Sequence, residues 1–161
     1  MNQRLDSTQQ LIKTLTEELI HLKNELRQNT CIKTEQDLLP TLPLTTLEDY
    51  MQFEKNIAEN KDMRKQLESL IGRVGGKNMA SFIKMSIKSI ITDEVAIDIT
   101  WRGTPNKPSF QKFYLYNIIK EACHAQDPTS SDYVINKICQ QHILHARDRV
   151  AKRNSKAILP D

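Results

Sequence analysis

Residues 78–91 read NMASFIKMSIKSII. Apolar side chains recur along this segment at intervals of three and four residues, which is the spacing of one face of an α-helix. The stripe is wide rather than a narrow seam, and it consists of Met79, Phe82, Ile83, Ile87, Ile90 and Ile91. An apolar face of that width predicts a helix that is buried in a hydrophobic core.

Two further helices are predicted before this core helix. The first begins at Thr45 or Thr46, because two carboxylates follow in its first turn, where they favour a helix N-terminus. The second runs from about Asp62 to near Gly75. The glycine- and lysine-containing residues 72–78 lack both the first glycine and the hydroxyl of a phosphate-binding loop. They therefore predict a turn between two helices.

The N-terminal residues 1–30 predict a coiled coil. Leucine and isoleucine alternate at three and four residues, and Glu18 can reach Lys23 of a parallel partner. A helix that folds back onto its own domain is the alternative, but it would carry a broader apolar face. The narrow stripe favours self-association through Leu5, Ile12, Leu15, Leu19, Leu22 and Leu26. The number of strands stays open, because leucine occupies both core positions of the repeat.

Residues 31–45 predict a linker, because Pro40 and Pro43 lack the amide donors that a helix needs. The helical domain is predicted to cover residues 46–156. After the core helix, residues 93–99 suggest a short helix or turn, followed by Trp101, which we expect to anchor the core, and a loop rich in glycine and proline. A helix is then predicted from Ser109 to about Ala125. A last helix, capped by Thr129-Ser130-Ser131-Asp132 with the acidic residue three places after Thr129, continues to the basic end of the domain.

Positive charge is concentrated in the C-terminal third. Residues 102–156 contain ten Lys or Arg and only four Asp or Glu, whereas residues 1–101 contain thirteen and fifteen. Cations near a helix C-terminus are favoured by the helix dipole alone, but that effect accounts for only one or two of them. The excess predicts contacts with nucleic-acid phosphates. The candidate residues are Arg102, Lys107, Lys112, Lys137, His145, Arg147, Arg149, Lys152, Arg153 and Lys156.

Catalytic and metal sites are not predicted. No nucleophile stands beside a base in a recognisable signature, and no carboxylate pair has a catalytic spacing, so the chain is not expected to be an enzyme or to need a cofactor. Cys139, His142 and the pair Cys123-His124 include the ligand types of zinc, but the close paired spacings of structural zinc are missing. Buried cysteines that face each other across two helices are the preferred interpretation.

The compartment is predicted from what the sequence lacks. No apolar run approaches the roughly 18 residues of a membrane span. The first residues lack the hydrophobic region of a signal peptide. Three cysteines without a C-x-x-C pair fit a reducing compartment. These features predict the nucleus or cytosol and no membrane partner.

The segment from Leu44 to Arg153 resembles an invertebrate family known as domain of unknown function 4806. The resemblance is carried by Leu44-Thr45-Thr46-Leu47-Glu48, Gly75-Gly76, Thr92-Asp93-Glu94, Trp101-Arg102-Gly103 with Lys107 and Phe110, and His145-Ala146-Arg147-Asp148-Arg149. No established activity comes with that family.

Residues 87–156 are similar in layout to the BEN family of DNA-binding domains. Leu115, Ile118 and Ile119 fit its middle helix, and Ile138 to Arg149 fit its last helix, but Ile90-Ile91-Thr92-Asp93 departs from its leucine-rich opening. The resemblance implies a nuclear protein that acts in transcriptional repression and chromatin.

Together these features predict an all-α protein with an N-terminal coiled coil and a helical domain. The expected function is a homo-oligomeric nuclear factor that binds DNA or chromatin in transcription regulation or silencing. Its expected partners are itself, DNA and chromatin proteins. The alternative is an adaptor or assembly module that binds other proteins and whose basic tail only solubilises it.

Overall fold

The computed structural model describes residues 2–31 and 37–158, with side chains for residues 4–25 and 37–158. Within these residues the protein is all-helical and has no strand, which confirms the predicted all-α class, while the coiled coil stays a prediction. By its contacts the chain divides into unit 1, residues 1–37, and unit 2, residues 38–161. The helices are α1 (Asn2–Cys31), α2 (Leu47–Glu59), α3 (Lys61–Arg73), α4 (Met79–Ile90), α5 (Asp93–Ile97), α6 (Tyr114–Gln126), α7 (Asp132–Leu144) and α8 (Ala146–Ala157), with a 3-10 turn at Phe110–Lys112.

Unit 1 contains α1, and every side chain from Arg4 to Glu25 is exposed. The predicted seam residues are apolar and more than half exposed: Leu5, Ile12, Leu15, Leu19 and Leu22. The side chain of Leu26, the remaining seam residue, lies outside the described residues. In the part of the chain that is described, nothing covers this apolar stripe.

Five of the described helices of unit 2 begin where a polar side chain accepts hydrogen bonds from the first free backbone amides, as expected of N-caps. The capping residues are Thr46 for α2, Asn60 for α3, Asn78 for α4, Thr92 for α5 and Ser131 for α7. The cap of α7 therefore comes from within the predicted segment 129–132, through Ser131. The Thr129 hydroxyl does not cap the helix and donates to Asp127 Oδ1 at 2.6 Å, within the turn before α7.

The core of unit 2 is built around α4, which contacts α6 and α7. Phe82, Ile83, Ile87 and Ile90 are buried, as their spacing predicted. Each fully buried side chain of this kind contributes roughly 1.5–3 kcal/mol relative to exposure. The short helix α5 follows directly, so of the two structures expected for residues 93–99, a short helix or a turn, the helix forms over Asp93–Ile97. Among the described residues no helix has the length and hydropathy needed to cross a membrane.

Part of the predicted linker belongs to unit 2. The Leu44 amide donates to the Ile90 carbonyl at 2.8 Å, and the Thr92 amide donates to the Leu44 carbonyl at 3.0 Å. The Leu44 side chain is buried in the core. The prolines in this segment prevent a helix, but they leave it free to run in extended form along the end of α4. Residues 32–36 of the predicted linker lie outside the described residues.

Two predicted helices are divided in the structure. The predicted helix from Ser109 starts as the 3-10 turn, and α6 begins only at Tyr114. The predicted last helix breaks at His145, whose backbone leaves the helical region before α8 begins. The break turns α8 onto α5, with Ala146 buried at the junction. Helical periodicity alone does not reveal such a change of direction.

Helix α6 has no cap of its own, because Phe113 precedes it. The carboxylate of Glu54 from α2 takes this role, accepting from the Tyr114 amide at 2.8 Å and the Leu115 amide at 3.1 Å. The Tyr50 hydroxyl donates to the same carboxylate at 3.1 Å. Burial raises the pKa of Glu54, while these three donors oppose the rise. A buried carboxylate therefore joins α2 to the N-terminus of α6.

We predict that Glu54→Gln destabilises the fold. A glutamine amide can accept only through its oxygen, so its NH₂ group would face a backbone donor and leave one α6 amide unpaired. The expected loss is about 1–3 kcal/mol in the free energy of unfolding, measured by urea denaturation. The matched change Glu59→Gln, on the exposed end of α2, should alter stability by less than about 0.5 kcal/mol. Equal effects of the two changes would contradict the capping role.

Candidate nucleic-acid interface

A groove of about 480 Å³ lies between α7 and the loop that follows Thr100. One wall is formed by Trp101, Arg102 and Gln111. The opposite wall is formed by Tyr133, Asn136, Lys137, Gln140, Gln141 and Leu144 of α7. The lining thus contains two cations, several carboxamides and no carboxylate. Arg102 and Lys137, two of the predicted contact residues, come together here although they are far apart in sequence.

The loop that forms the wall with Trp101 and Arg102 is fixed in position by ring packing, a hydrogen bond and a glycine turn. The Trp101 ring is half-buried and packs edge-to-face on Tyr116, with ring centroids 5.3 Å apart. The Ser109 hydroxyl donates to the Trp101 carbonyl at 2.9 Å. Gly103 adopts φ +85°, and a Cβ there would lie 3.1 Å from the Ser109 Cβ, so the turn requires glycine. These contacts fix the position from which the exposed Arg102 side chain projects.

Lys107 belongs to the structure of this loop. Its ammonium group donates to the Ile97 carbonyl, at the C-terminal end of α5, at 2.7 Å. The predicted contact residue is therefore used to brace the loop against α5, where a helix C-terminus attracts a cation.

The outer face of α7 forms the other wall. Tyr133 and Leu144 are 72% and 70% exposed at its two ends. Between them, the exposed side chains of Lys137, Gln140 and Gln141 have no partner among the described residues. Asn136 is different, because its carbonyl oxygen accepts a hydrogen bond from the Tyr116 hydroxyl. The middle of this face is thus polar, unpaired and free of negative charge.

The ten predicted contact residues separate into two groups. Four of them have partners within the protein: Lys107, His145, Arg149 and Arg153. The other six are exposed and have no hydrogen-bond or ion-pair partner among the described residues: Arg102, Lys112, Lys137, Arg147, Lys152 and Lys156. The second group is available to bind an external anion at no cost to internal contacts.

Arg149 anchors α8 to α5. Its guanidinium donates twice to Asp93 Oδ1, at 2.9 and 2.7 Å, and once to the His142 carbonyl at 2.8 Å. Arg153 donates one hydrogen bond to the Glu94 carboxylate, also on α5. Burial by itself would raise the pKa of Asp93, but the hydrogen bonds and charge of Arg149 hold it below its ordinary value. Both arginines thus serve tertiary structure, a role that counting charges does not reveal.

His142 lies beneath this anchor. Burial lowers its pKa from 6.5 to about 4, and the charges of Arg149, Lys88 and Lys84 act in the same direction. Its Nε2 lies 3.3 Å from Arg149 Nη2, so in the neutral ring this nitrogen accepts and Nδ1 carries the proton. The imidazole is therefore a neutral part of the core.

Cys123 and Cys139 are both buried, and neither forms a disulfide. Burial raises the pKa of Cys123 to about 11 and that of Cys139 to about 12, with the charge of Cys123 contributing to the second shift. Both residues are therefore neutral thiols near pH 7, not the thiolates that bind metals. Among the described residues, no three His, Cys, Asp or Glu side chains group as a metal site. That the fold needs no metal stays a prediction.

Counting charges does not find the carboxamides of the groove, because Gln111, Gln140 and Gln141 carry no charge. Lys84 and Lys88, exposed on α4, lie outside the basic C-terminal third and were not among the predicted contact residues, although their charges act on His142. Both sets could have been found by asking which polar residues fall opposite the apolar stripe of each helix.

The fold and groove define a helical domain with a polar, partly cationic cleft beside its penultimate helix. The chain belongs to the family described as Domain of unknown function (DUF4806), whose model matches residues 39–122. The match confirms the family resemblance and includes the loop wall of the groove, while α7 and α8 lie beyond it. No curated protein and no solved structure matches the chain significantly.

We predict that the protein loses stability in mild acid because of His142. Its pKa is lower in the folded state, so its contribution is fully present above pH 6.5 and is lost as the pH falls towards 4. The expected decrease in the free energy of unfolding over this pH range is on the order of 3 kcal/mol. His142→Gln keeps an acceptor near the position of Nε2 but cannot be protonated. Urea denaturation between pH 7 and 4.5 should therefore show a shallower pH dependence for this variant.

The control is His21→Gln, which alters an exposed histidine of α1. It should retain the pH dependence of the unaltered protein. If His142→Gln loses stability in acid as steeply as the control, a neutral buried His142 is not the cause.

Proposed function

We propose that this protein is a nuclear, homo-oligomeric factor that binds DNA through unit 2, in transcription regulation or silencing on chromatin. The observation that carries the proposal is the groove beside α7. It combines the unpaired cations Arg102 and Lys137 with carboxamides and exposed aromatic surface, and it contains no carboxylate. These are the side chains with which proteins contact phosphates and base edges.

A second groove of unit 2 provides the contrast. It has a volume of about 920 Å³ and lies between residues 38–44 and helices α2 and α3. Its lining includes Asp49, Glu59 and Asp62 against one cation, Lys61. Negative charge in this groove would repel a polyanion. The proposed site for nucleic acid is therefore the groove beside α7, whose lining contains cations and no carboxylate.

Helix α8 carries further unpaired cations. It follows α7 after a one-residue break, and its side chains from Ala151 to Ala157 are exposed. Arg147, Lys152 and Lys156 are unpaired in the part of the chain that is described, while Arg149 and Arg153 fix the helix to α5. Each phosphate that a free cation neutralises releases condensed counterions, so the predicted binding weakens steeply as salt rises.

Self-association is supported by α1. In this 30-residue helix the leucine and isoleucine side chains between Arg4 and Glu25 are more than half exposed, which gives apolar surface that a coiled-coil partner would cover. Two or more copies of unit 2 would then act on one DNA molecule. Linked binding sites raise the apparent affinity through their effective concentration, even when each site binds weakly.

The BEN-like layout of residues 87–156 supports the same proposal. After the buried helix α4 come the loop with Gly103 and Lys107, the helix α6, a polar break and a basic C-terminal end. That end consists of two helices, α7 and α8, where the BEN layout has one. BEN domains bind DNA in nuclear, chromatin-associated proteins, and the resemblance extends that expectation to this chain.

A protein-binding adaptor is the second candidate. The observation in its favour is the exposure of Tyr133 and Leu144 at the two ends of the α7 face. Tyrosine is enriched at protein interfaces. The unpaired cations of the groove and α8 would then serve only solubility, and binding to DNA would be absent or independent of them.

We predict that removing free cations weakens DNA binding. Arg102→Ala, Lys137→Ala and Lys152→Ala in one chain should lower affinity for every duplex at low salt. They should also flatten the slope of log K against log salt by up to about three units, one for each lost phosphate contact. Fluorescence anisotropy with a mixed duplex pool at several salt concentrations measures both quantities.

The matched control is Lys55→Ala, Lys61→Ala and Lys65→Ala, which removes the same charge from the exposed sides of α2 and α3. It should leave affinity within about threefold, because charges distant from the site are screened. No binding by the unaltered chain at low salt, or equal losses in the two triple variants, would favour the adaptor.

We predict that the oligomer depends on the α1 seam. Leu15→Asp with Leu22→Asp places charge in the apolar stripe and should yield monomers in multi-angle light scattering, while the unaltered chain is a dimer or larger. Thr14→Asp with His21→Asp adds the same charge outside the seam and should keep the oligomer. An unaltered chain that is monomeric at micromolar concentration would contradict the coiled coil.

A further inference from the structure

The centre of the α7 face contains three polar side chains that do nothing for the fold. Lys137, Gln140 and Gln141 stand at positions i, i+3 and i+4, so they share one face of the helix. All three are exposed and have no partner among the described residues. Behind them, Ile135, Cys139, His142 and Ile143 are buried and hold the helix in place.

We propose that α7 lies in the major groove of duplex DNA and recognises adenine-containing base pairs through Gln140 and Gln141. This inference rests on the proposed function. It adds that the DNA is a duplex with adenine in the bound site, and that Gln140 and Gln141 contact the bases. Lys137 stands beside the two glutamines and donates to guanine or to a phosphate of the same segment.

The chemistry of the glutamine carboxamide fits adenine. Its oxygen accepts from the adenine N6 amino group while its NH₂ group donates to N7, and this pair of bonds is not offered by the other bases in the major groove. Both atoms must be unoccupied for such a contact. Gln140 and Gln141 meet this requirement. Asn136 does not, because the Tyr116 hydroxyl already occupies its oxygen.

The dimensions of the helix fit the proposed position. An α-helix with its side chains is about 10–12 Å wide, close to the roughly 12 Å width of the major groove. From Lys137 to Gln141 the helix rises about 6 Å, and base pairs repeat at about 3.4 Å. The three side chains therefore reach two or three adjacent base pairs. Tyr133 and Leu144 stand at the ends, where apolar surface can contact thymine methyl groups.

The surroundings of α7 supply contacts to the sugar-phosphate backbone. Arg102 is exposed on the opposite wall of the groove, so a DNA strand passing between that wall and α7 would meet a cation on each side. The unpaired Arg147, Lys152 and Lys156 follow on α8. A cation opposite the polar face of α7 and further unpaired cations on the next helix are side chains of the kind that contact the sugar-phosphate backbone.

Duplex DNA suits this surface better than a single strand. Sites for single strands stack successive bases on exposed aromatic rings. Here Trp101 packs on Phe110 and Tyr116 at its back, and Tyr133 is the aromatic ring of the groove that is mostly exposed. The α7 face has three unpaired polar side chains and one mostly exposed ring, which suits hydrogen bonding to base edges better than stacking of bases.

The test is a selection from a pool of randomised duplexes with the full chain, followed by anisotropy titrations. The selected site should contain adenine at two or more neighbouring positions and bind at least about 30-fold more tightly than a scrambled duplex. Gln140→Ala with Gln141→Ala should reduce that preference by about tenfold or more. Its affinity for the scrambled duplex should stay within about threefold, because phosphate contacts are untouched.

The control, Gln52→Ala with Gln126→Ala, removes two exposed glutamines from α2 and α6 and should keep the full preference. Thermal melts establish that all three proteins are folded. Equal binding of the unaltered chain to all duplexes, an unchanged preference in the Gln140/Gln141 variant, or tighter binding to single strands or RNA overturns this inference alone. Failure to bind any nucleic acid overturns the proposed function as well.

Discussion

The buried carboxylate of Glu54 is the contact on which the arrangement of unit 2 depends. It replaces the missing cap of α6 with an acceptor from α2, residues that lie 60 positions apart in sequence. Because a charged group in the core is stable only when its hydrogen bonds are satisfied, the register of α2 against α6 is closely defined. The position of α6 in turn determines where the Tyr116 ring and hydroxyl meet Trp101 and Asn136. The positions of both walls of the groove therefore depend on the Glu54 carboxylate.

A second electrostatic contact orients the C-terminal end. Arg149 binds Asp93 of α5 and the last turn of α7 at the same time, so α8 leaves α7 at a break and packs on α5. His142 beneath it stays neutral, since a second positive charge at this place would be costly. The unpaired cations of α8 consequently stand on a helix that is packed against the domain.

The basic C-terminal third thus contains two kinds of cation. Some stabilise tertiary structure through carboxylates and carbonyl groups, and others face solvent without partners. Only the second kind can bind an anion without breaking internal contacts, and it includes Arg102 and Lys137 on the two sides of one groove. The glutamines of the same groove carry no charge, so net charge does not register them, and the proposed recognition of base edges depends on their exposed carboxamides.

The sequence by itself determined the all-helical class, the buried face of α4, the break between α3 and α4 and the family, because periodicity and capping act between residues close in the chain. For α5 it left a helix and a turn both open. It also indicated which end is basic. Only the tertiary structure decided that Leu44 belongs to the core, that the last helix breaks at His145, and that Lys107, Arg149 and Arg153 are internal contacts. Each of these outcomes depends on a partner distant in sequence, about which local patterns contain no information. The groove itself arises from that packing, since its walls come from the loop after Thr100 and from α7.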